Sequence, residues 1–176
     1  MNFNIFCKGL FSFALVLTLV SIEQPSINAQ KGKAIQLRSK KGTCLDANTG
    51  KSGKVPYMRT CDNGTNLNLL WAPVKADSDS FFIKAYATGG LCLDANAGVV
   101  GRNVYLNSCN SSNSSHKWYN ARFSSRPFTE VQLRTEARNG SCLDANTGEQ
   151  GKPAYIRNCD NGQNNSLIWS WRDLGD

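Results

Sequence analysis

Histidine is all but missing: His116 is the only one in the chain. A Ser-His-Asp site would have to use it, and no serine sits in a nucleophile motif, so catalysis by that route is not expected. The Cys-x-x-Cys spacing of structural zinc sites is absent, which gives no reason to expect a metal or a cofactor. No run of five basic residues occurs, so nucleic acid is not expected as a partner. The apolar run Leu10 to Val20 is too short to span a bilayer, and stable membrane insertion is not expected. Beyond it, apolar residues come in short alternating runs rather than at the spacings of three and four that mark an amphipathic helix.

That run has a second meaning. It follows Lys8 and is succeeded by Ile27-Asn28-Ala29, the layout of a secretory signal peptide. Residues 1–29 are therefore expected to be removed, leaving residues 30–176 as one domain of ordinary size in an extracellular or periplasmic space. Lys8 and Glu23 leave together, so the formal net charge of +7 is unchanged. A balance of that sign favours anionic surfaces without naming one.

Cysteine fits the same compartment. Cys7 lies in the leader, and the other six fall at 44, 61, 92, 109, 142 and 159, three pairs with one repeated gap. Such a count behind a leader reads as a disulfide framework. A repeat that must stand as its own unit selects Cys44 with Cys61, Cys92 with Cys109, and Cys142 with Cys159.

The repeat extends well past the cysteines. Each unit opens on a strand-like stretch (Ile35-Gln36-Leu37-Arg38, Ile83-Lys84-Ala85-Tyr86, Val131-Gln132-Leu133-Arg134), passes through Cys-Leu-Asp-Ala-Asn, and closes on Trp71, Trp118 or Trp169. Repeats of about 30–75, 76–125 and 126–176 are expected. Short strands at regular spacing, broken by Asn-Gly, Gly-Gly and Asp-Asn-Gly, indicate an all-β fold, and three copies indicate a threefold trefoil. The three tryptophans read as core, with Trp171 left free to be exposed.

Alternation along the strands assigns faces. Leu45, Leu93 and Leu143 point inward with Met58, Leu106 and Ile156. Asp46, Asp94 and Asp144 then point outward, as do Tyr57, Tyr105 and Tyr155 and the polar Arg59, Asn107 and Arg157. A carboxylate that accepts from vicinal hydroxyls, an amide that donates and accepts, and a tyrosine plane suit a sugar. The same residues equally suit a structural role, with Asp and Asn capping the next turn and Tyr covering the disulfide.

The unit Cys-Leu-Asp, glycine-rich loop, strand, Cys and closing Trp resembles the ricin B-chain type β-trefoil lectin family, over essentially all of residues 30–176. The resemblance implies four strands per repeat, up to three shallow carbohydrate sites, and Asp46, Asp94 and Asp144 as sugar ligands. Two features depart from the family pattern. The Gln of Gln-x-Trp is missing from Asn68-Leu69-Leu70-Trp71, Ser115-His116-Lys117-Trp118 and Ser166-Leu167-Ile168-Trp169. The stacking aromatic two residues before the second cysteine is replaced by Arg59, Asn107 or Arg157, with Tyr57, Tyr105 and Tyr155 two places earlier, where their rings can take over the stacking. The resemblance ranks the first repeat highest, through Asp46, Tyr57 and Asn68. Next comes the second, through Asp94, Tyr105, Asn107 and His116. The third keeps Asp144, Tyr155 and Arg157 but carries Leu167 at the Gln position, and is expected to have decayed.

The function expected is therefore a secreted, non-catalytic glycan-binding protein. Glycoside hydrolysis would need two carboxylates in one cleft, and three equivalent aspartates belong on three lobes. The alternative is a protein-interaction trefoil, such as a delivery subunit or an inhibitor, with degenerate sugar sites. Basic loops (Arg38, Lys40, Lys41; Lys51, Lys54, Arg59; Lys152, Arg157) suit anionic glycans, although lysines on loops are commonly just a solvated face. Sequons at Asn63, Asn110, Asn113, Asn139 and Asn164 mark loops expected to be exposed.

Overall fold

A computed structural model describes residues 35–122 and 129–173. The expected leader, the outermost residues of the expected domain and the side chain of Asn139 lie outside the described residues.

Turn residues cut the chain into short strands, twelve among the described residues. They are β1 (Ile35–Ser39), β2 (Thr43–Asp46), β3 (Tyr57–Thr60), β4 (Leu70–Lys75), β5 (Phe81–Ala85), β6 (Leu91–Asp94), β7 (Tyr105–Ser108), β8 (Lys117–Ala121), β9 (Glu130–Thr135), β10 (Cys142–Asp144), β11 (Tyr155–Arg157) and β12 (Trp169–Asp173). Six of them close a ring: β1 pairs with β4, β4 with β5, β5 with β8, β8 with β9, β9 with β12, and β12 with β1, all antiparallel. Closure leaves no open edge in that ring. The hairpins β2–β3, β6–β7 and β10–β11 hang from β1, β5 and β9 through the pairs Arg38 with Cys44, Lys84 with Cys92, and Arg134 with Cys142. Three copies of four strands make a β-trefoil.

The inward residues are those that alternation selects. Leu45, Leu93 and Leu143 are fully buried with Met58, Leu106 and Ile156, and with Trp71, Trp118 and Trp169. Burying one such aliphatic side chain stabilises by about 1.5–3 kcal/mol. The indole N–H groups of the three tryptophans donate to the carbonyls of Leu45, Leu93 and Leu143 at 2.8, 2.9 and 2.9 Å, so no buried indole donor is orphaned. Disulfides join Cys44 to Cys61, Cys92 to Cys109 and Cys142 to Cys159.

The Asn of each Cys-Leu-Asp-Ala-Asn is a backbone requirement. Asn48, Asn96 and Asn146 have φ of 48, 50 and 58°, a left-handed conformation that Asn tolerates and most L residues avoid. Their side-chain amides donate to the carbonyls of Val55, Asn103 and Pro153 at 3.1, 3.3 and 3.5 Å, bracing the loop that follows.

Those loops lock the repeats into a cycle. Gly53 N–H donates to Leu106 O while Leu106 N–H returns to Lys54 O; Gly101 and Arg102 do the same with Ile156, and Gly151 and Lys152 with Met58. Each repeat thus docks its loop on the next hairpin, and the third docks on the first.

Trp171 departs from the expected exposure. It is half-buried, meets Phe81 edge to face with centroids 5.7 Å apart, and its indole N–H donates to Asn120 Oδ1 at 3.3 Å. It stands two residues from the buried Trp169, and period-two alternation puts both on the inner face.

Candidate functional site

Each hairpin sets its candidate side chains by register. Asp46 pairs with Tyr57, Asp94 with Tyr105 and Asp144 with Tyr155; one step along, Cys44 faces Arg59, Cys92 faces Asn107 and Cys142 faces Arg157. The short strands therefore bring Asp, Tyr and one polar side chain together in every repeat, as expected from the sequence.

Their exposure is not as expected. Asp46, Asp94 and Asp144 retain only 1%, 8% and 0% of their surface. Oδ1 of each accepts the amide N–H of Asn48, Asn96 or Asn146, at 2.7, 2.7 and 2.6 Å. Asp46 Oδ2 is 3.4 Å from Arg59 Nη1, and Asp144 Oδ2 is 3.3 Å from Arg157 Nη1. The carboxylates face away from the leucines, as alternation requires, but turns and long polar side chains cover them. In the first and third repeats Asp46, Asp144 and the neighbouring asparagines make the turn-capping bonds of the structural alternative.

The second repeat solves the same problem differently. Asp94 Oδ2 accepts from Asn107 Nδ2 at 2.7 Å and lies 3.1 Å from His116 Nε2. His116 Nδ1 accepts the Asn110 backbone N–H at 3.0 Å, which assigns the proton of the neutral ring to Nε2 and makes it the donor to Asp94. Burial works against ionisation of Asp94, but the hydrogen bonds from His116, Asn107 and the Asn96 amide outweigh it, so its pKa falls below the ordinary value. His116 is 3% exposed and is not a solvated loop residue.

Asn68 does not join the first site. The carbonyls of Asn68, Ser115 and Ser166 accept the amides of Ala47, Ala95 and Ala145, so these three residues are equivalents. The counterparts of His116 are the buried Leu69 and Leu167. The Asn68 side chain makes no hydrogen bond to Asp46, because its place in the turn lies one residue short of the position that faces the carboxylate. Asn113 and Asn164 also differ from the exposure expected of them: half-buried, they accept the amides of Ser115 and Ser166 and cap the closing turns.

The accessible parts of the hairpins are the half-buried rings of Tyr57, Tyr105 and Tyr155 and the polar groups beside them. The side chains of Arg59 and Arg157 are 45% and 48% exposed. Arg59 Nη1 donates to the Tyr57 hydroxyl at 3.4 Å. Burial pushes the Tyr155 hydroxyl above its ordinary pKa, and the negative charge of Asp144 adds to this. Beside Tyr105 lies an open polar hollow of about 500 Å³, lined by Asn96, Gly101, Arg102, Asn103 and Tyr105. Two larger clefts, about 700 and about 770 Å³, flank the Asp77–Ser80 turn. None of the residues expected to bind sugar lines either of them.

Sequence comparison bears on this geometry. The family described as "Ricin-type beta-trefoil lectin domain" matches residues 26–118 and 79–176. No curated protein matches the chain by sequence. Among solved structures, a designed 3-fold symmetric protein, ThreeFoil, superposes with a TM-score of 0.68 at 16% identity, over 80% of this chain and 99% of its own. The earthworm R-type lectin C-half, in complex with GalNAc, superposes at 0.60 and 14%, over 80% and 98%. A mosquitocidal holotoxin matches at 0.68 and 15%, over 81% of this chain. The chain spans only 17% of that holotoxin, and 30–36% of three other matching proteins, two of them glycosidases.

Proposed function

The chain belongs to the family of ricin-type beta-trefoil lectin domains, and on that premise we propose that it is a secreted, non-catalytic glycan-binding protein whose contacts are made on the outer faces of its hairpins. The observation that carries this is the hollow beside Tyr105, where a half-buried ring and the amides of Asn96 and Asn103 border one open space. A tyrosine face accepts the C–H side of a sugar ring, and amides both donate to and accept from hydroxyls. Asp94 orients the turn that bears Asn96 rather than meeting solvent freely. Asp46 and Asp144 act likewise in their repeats, as positioning residues. The second repeat becomes the leading site, ahead of the first.

The leader 1–29 is part of the same proposal, and the N-terminus of the exported protein, read by mass spectrometry, should be Gln30. Binding is tested on a glycan array with the mature protein and with Tyr57→Ala, Tyr105→Ala and Tyr155→Ala. Tyr105→Ala should lose most of the signal. Binding that survives loss of all three tyrosines, or no binding to any glycan, would favour the protein-interaction alternative. The covering of Asp46 and Asp144 by arginine is the observation that speaks for that alternative in the first and third repeats.

A further inference from the structure

We propose that each hairpin loop carries a cation dedicated to an acidic group on the glycan, so that the preferred ligand is a sulfated or uronic-acid-bearing oligosaccharide; this rests on, and narrows, the glycan-binding reading above. The residues are Lys54, Arg102 and Lys152. They occupy one position in the three repeats, directly after Gly53, Gly101 and Gly151, whose φ values are 76, 85 and 82°.

The fold explains the glycines but not the cations. The left-handed backbone at each glycine lets its amide reach the strand carbonyl of the next hairpin. The residue after it contributes only backbone groups, its carbonyl accepting from Leu106, Ile156 or Met58 and its N–H donating to Lys51, Val99 or Glu149, and any side chain but proline would leave those bonds intact. Three basic residues there are surplus to folding. Each is exposed, and among the described residues none makes an ion pair. Some other cations are engaged: Lys40 with Glu130, Arg59 with Asp46, Arg157 with Asp144, and Lys117 with Asp77 and Glu136.

Their placement beside the tyrosines gives the charge a target. Arg102 shares the hollow with Tyr105. Asn103, next to it in the chain, bridges to Tyr155, and Pro153, next to Lys152, bridges to Tyr57. A cation therefore stands within reach of a sugar that lies on a tyrosine face, in the same repeat or the next. The loops 51–54, 99–102 and 149–152 add Lys51 and only one acid, Glu149, so the three loops together carry a formal charge of +3. A guanidinium meets sulfate or carboxylate with a two-pronged hydrogen bond, and an ammonium meets it as a point charge. A flexible anionic polysaccharide can engage more than one repeat at once and gain by the effective concentration this creates.

The test titrates the mature protein with a size-defined heparin oligosaccharide, hyaluronan and a neutral dextran of equal length, and double-stranded DNA, over a range of NaCl. The triple variant Lys54→Gln/Arg102→Gln/Lys152→Gln is compared with a control of equal charge loss, Lys75→Gln/Lys84→Gln/Arg138→Gln. Thermal unfolding verifies that both fold. The parent should prefer the acidic glycans to the neutral dextran, heparin against hyaluronan telling sulfate from carboxylate. The loop variant should bind the preferred glycan about 30-fold more weakly at low salt, and its log Kd against log [NaCl] slope should flatten by about 2, at roughly 0.7–0.9 per lost contact on the scale known for nucleic acids. The control should stay close to the parent. Equal losses in both variants, an unaffected loop variant, or no preference for acidic glycans would overturn the proposal. DNA binding as tight and equally dependent on the three residues would overturn it in favour of a general polyanion site. The neutral-glycan array separates the two readings: neutral binding lost in Tyr105→Ala but kept in the loop variant supports both, and loop-dependent heparin binding without any neutral binding supports the cations while removing the tyrosine site.

Discussion

Asp94 and His116 are bound to each other inside the second repeat, with Nε2 3.1 Å from Oδ2 and both side chains almost out of solvent. The other two repeats put a leucine where the histidine stands and cover their aspartates with arginine instead. One carboxylate position is thus satisfied in two chemically different ways within a single chain.

His116→Leu would give the second repeat the residue of the other two, but without their arginine. Asp94 would keep Asn107 and lose a buried charge-assisted bond, so stability should fall by about 1.5–3 kcal/mol. His116→Gln, which restores a donor at the family position, should recover most of this. Urea unfolding of both variants checks the order, and a loss in the leucine variant no larger than in the glutamine variant would contradict it.

The depressed pKa of Asp94 has a definite consequence in acid. A group whose folded pKa lies below its unfolded value adds stability that is fully present above the unfolded pKa, near 3.9, and is lost as pH falls through the folded pKa. Asp94→Asn should therefore be less stable than the parent at neutral pH, and the difference should shrink below about pH 4. Denaturant midpoints at a series of pH values test this, and a gap that widens in acid would reverse the sign.

The left-handed asparagines predict a specific pattern of tolerance. Asn48→Gly, Asn96→Gly and Asn146→Gly keep access to positive φ, whereas the alanine variants add a backbone penalty of about 1–2 kcal/mol to the lost side-chain bond. Thermal melts should rank glycine above alanine at all three positions. Alanine equal to glycine would mean that the turn is held by other means.

The three core indoles should be interchangeable in their cost. Trp71→Phe, Trp118→Phe and Trp169→Phe each strand a buried carbonyl and open a small void, and each should cost about 2–4 kcal/mol. Values that agree within about 1 kcal/mol would reflect the threefold equivalence of their bonds to Leu45, Leu93 and Leu143.

Much of the frame can be read in the letters. The repeated cysteine gap selects the three disulfides, and alternation places Leu45, Met58 and their equivalents inside, because both depend on short-range geometry. What alternation cannot reveal is which later segment lies over an outward face. Asp94 points away from Leu93 and is still covered, since the turn carrying His116 arrives from more than twenty residues downstream. Counting along the chain ties Asn68 to Asp46, whereas the backbone bond from Ala47 makes Asn68 the equivalent of Ser115 and puts the position facing the carboxylate one residue later. Trp171 could have been found, because it is two residues from Trp169 on one strand. So could the basic residue after each loop glycine, an offset that repeats as faithfully as the cysteines.

The loop exchange closes on itself, first to second, second to third, third to first, and β1 lies alongside β12 for five residues. Such an assembly has no beginning in space. A chain rewired to start at residue 76, with its old ends joined by a short linker, would keep every contact between repeats, whereas one with a repeat excised would leave a loop and a hairpin without their mates. The outer face of one lobe is consequently free to diverge by side-chain replacement alone, while the number of lobes is held at three by the backbone.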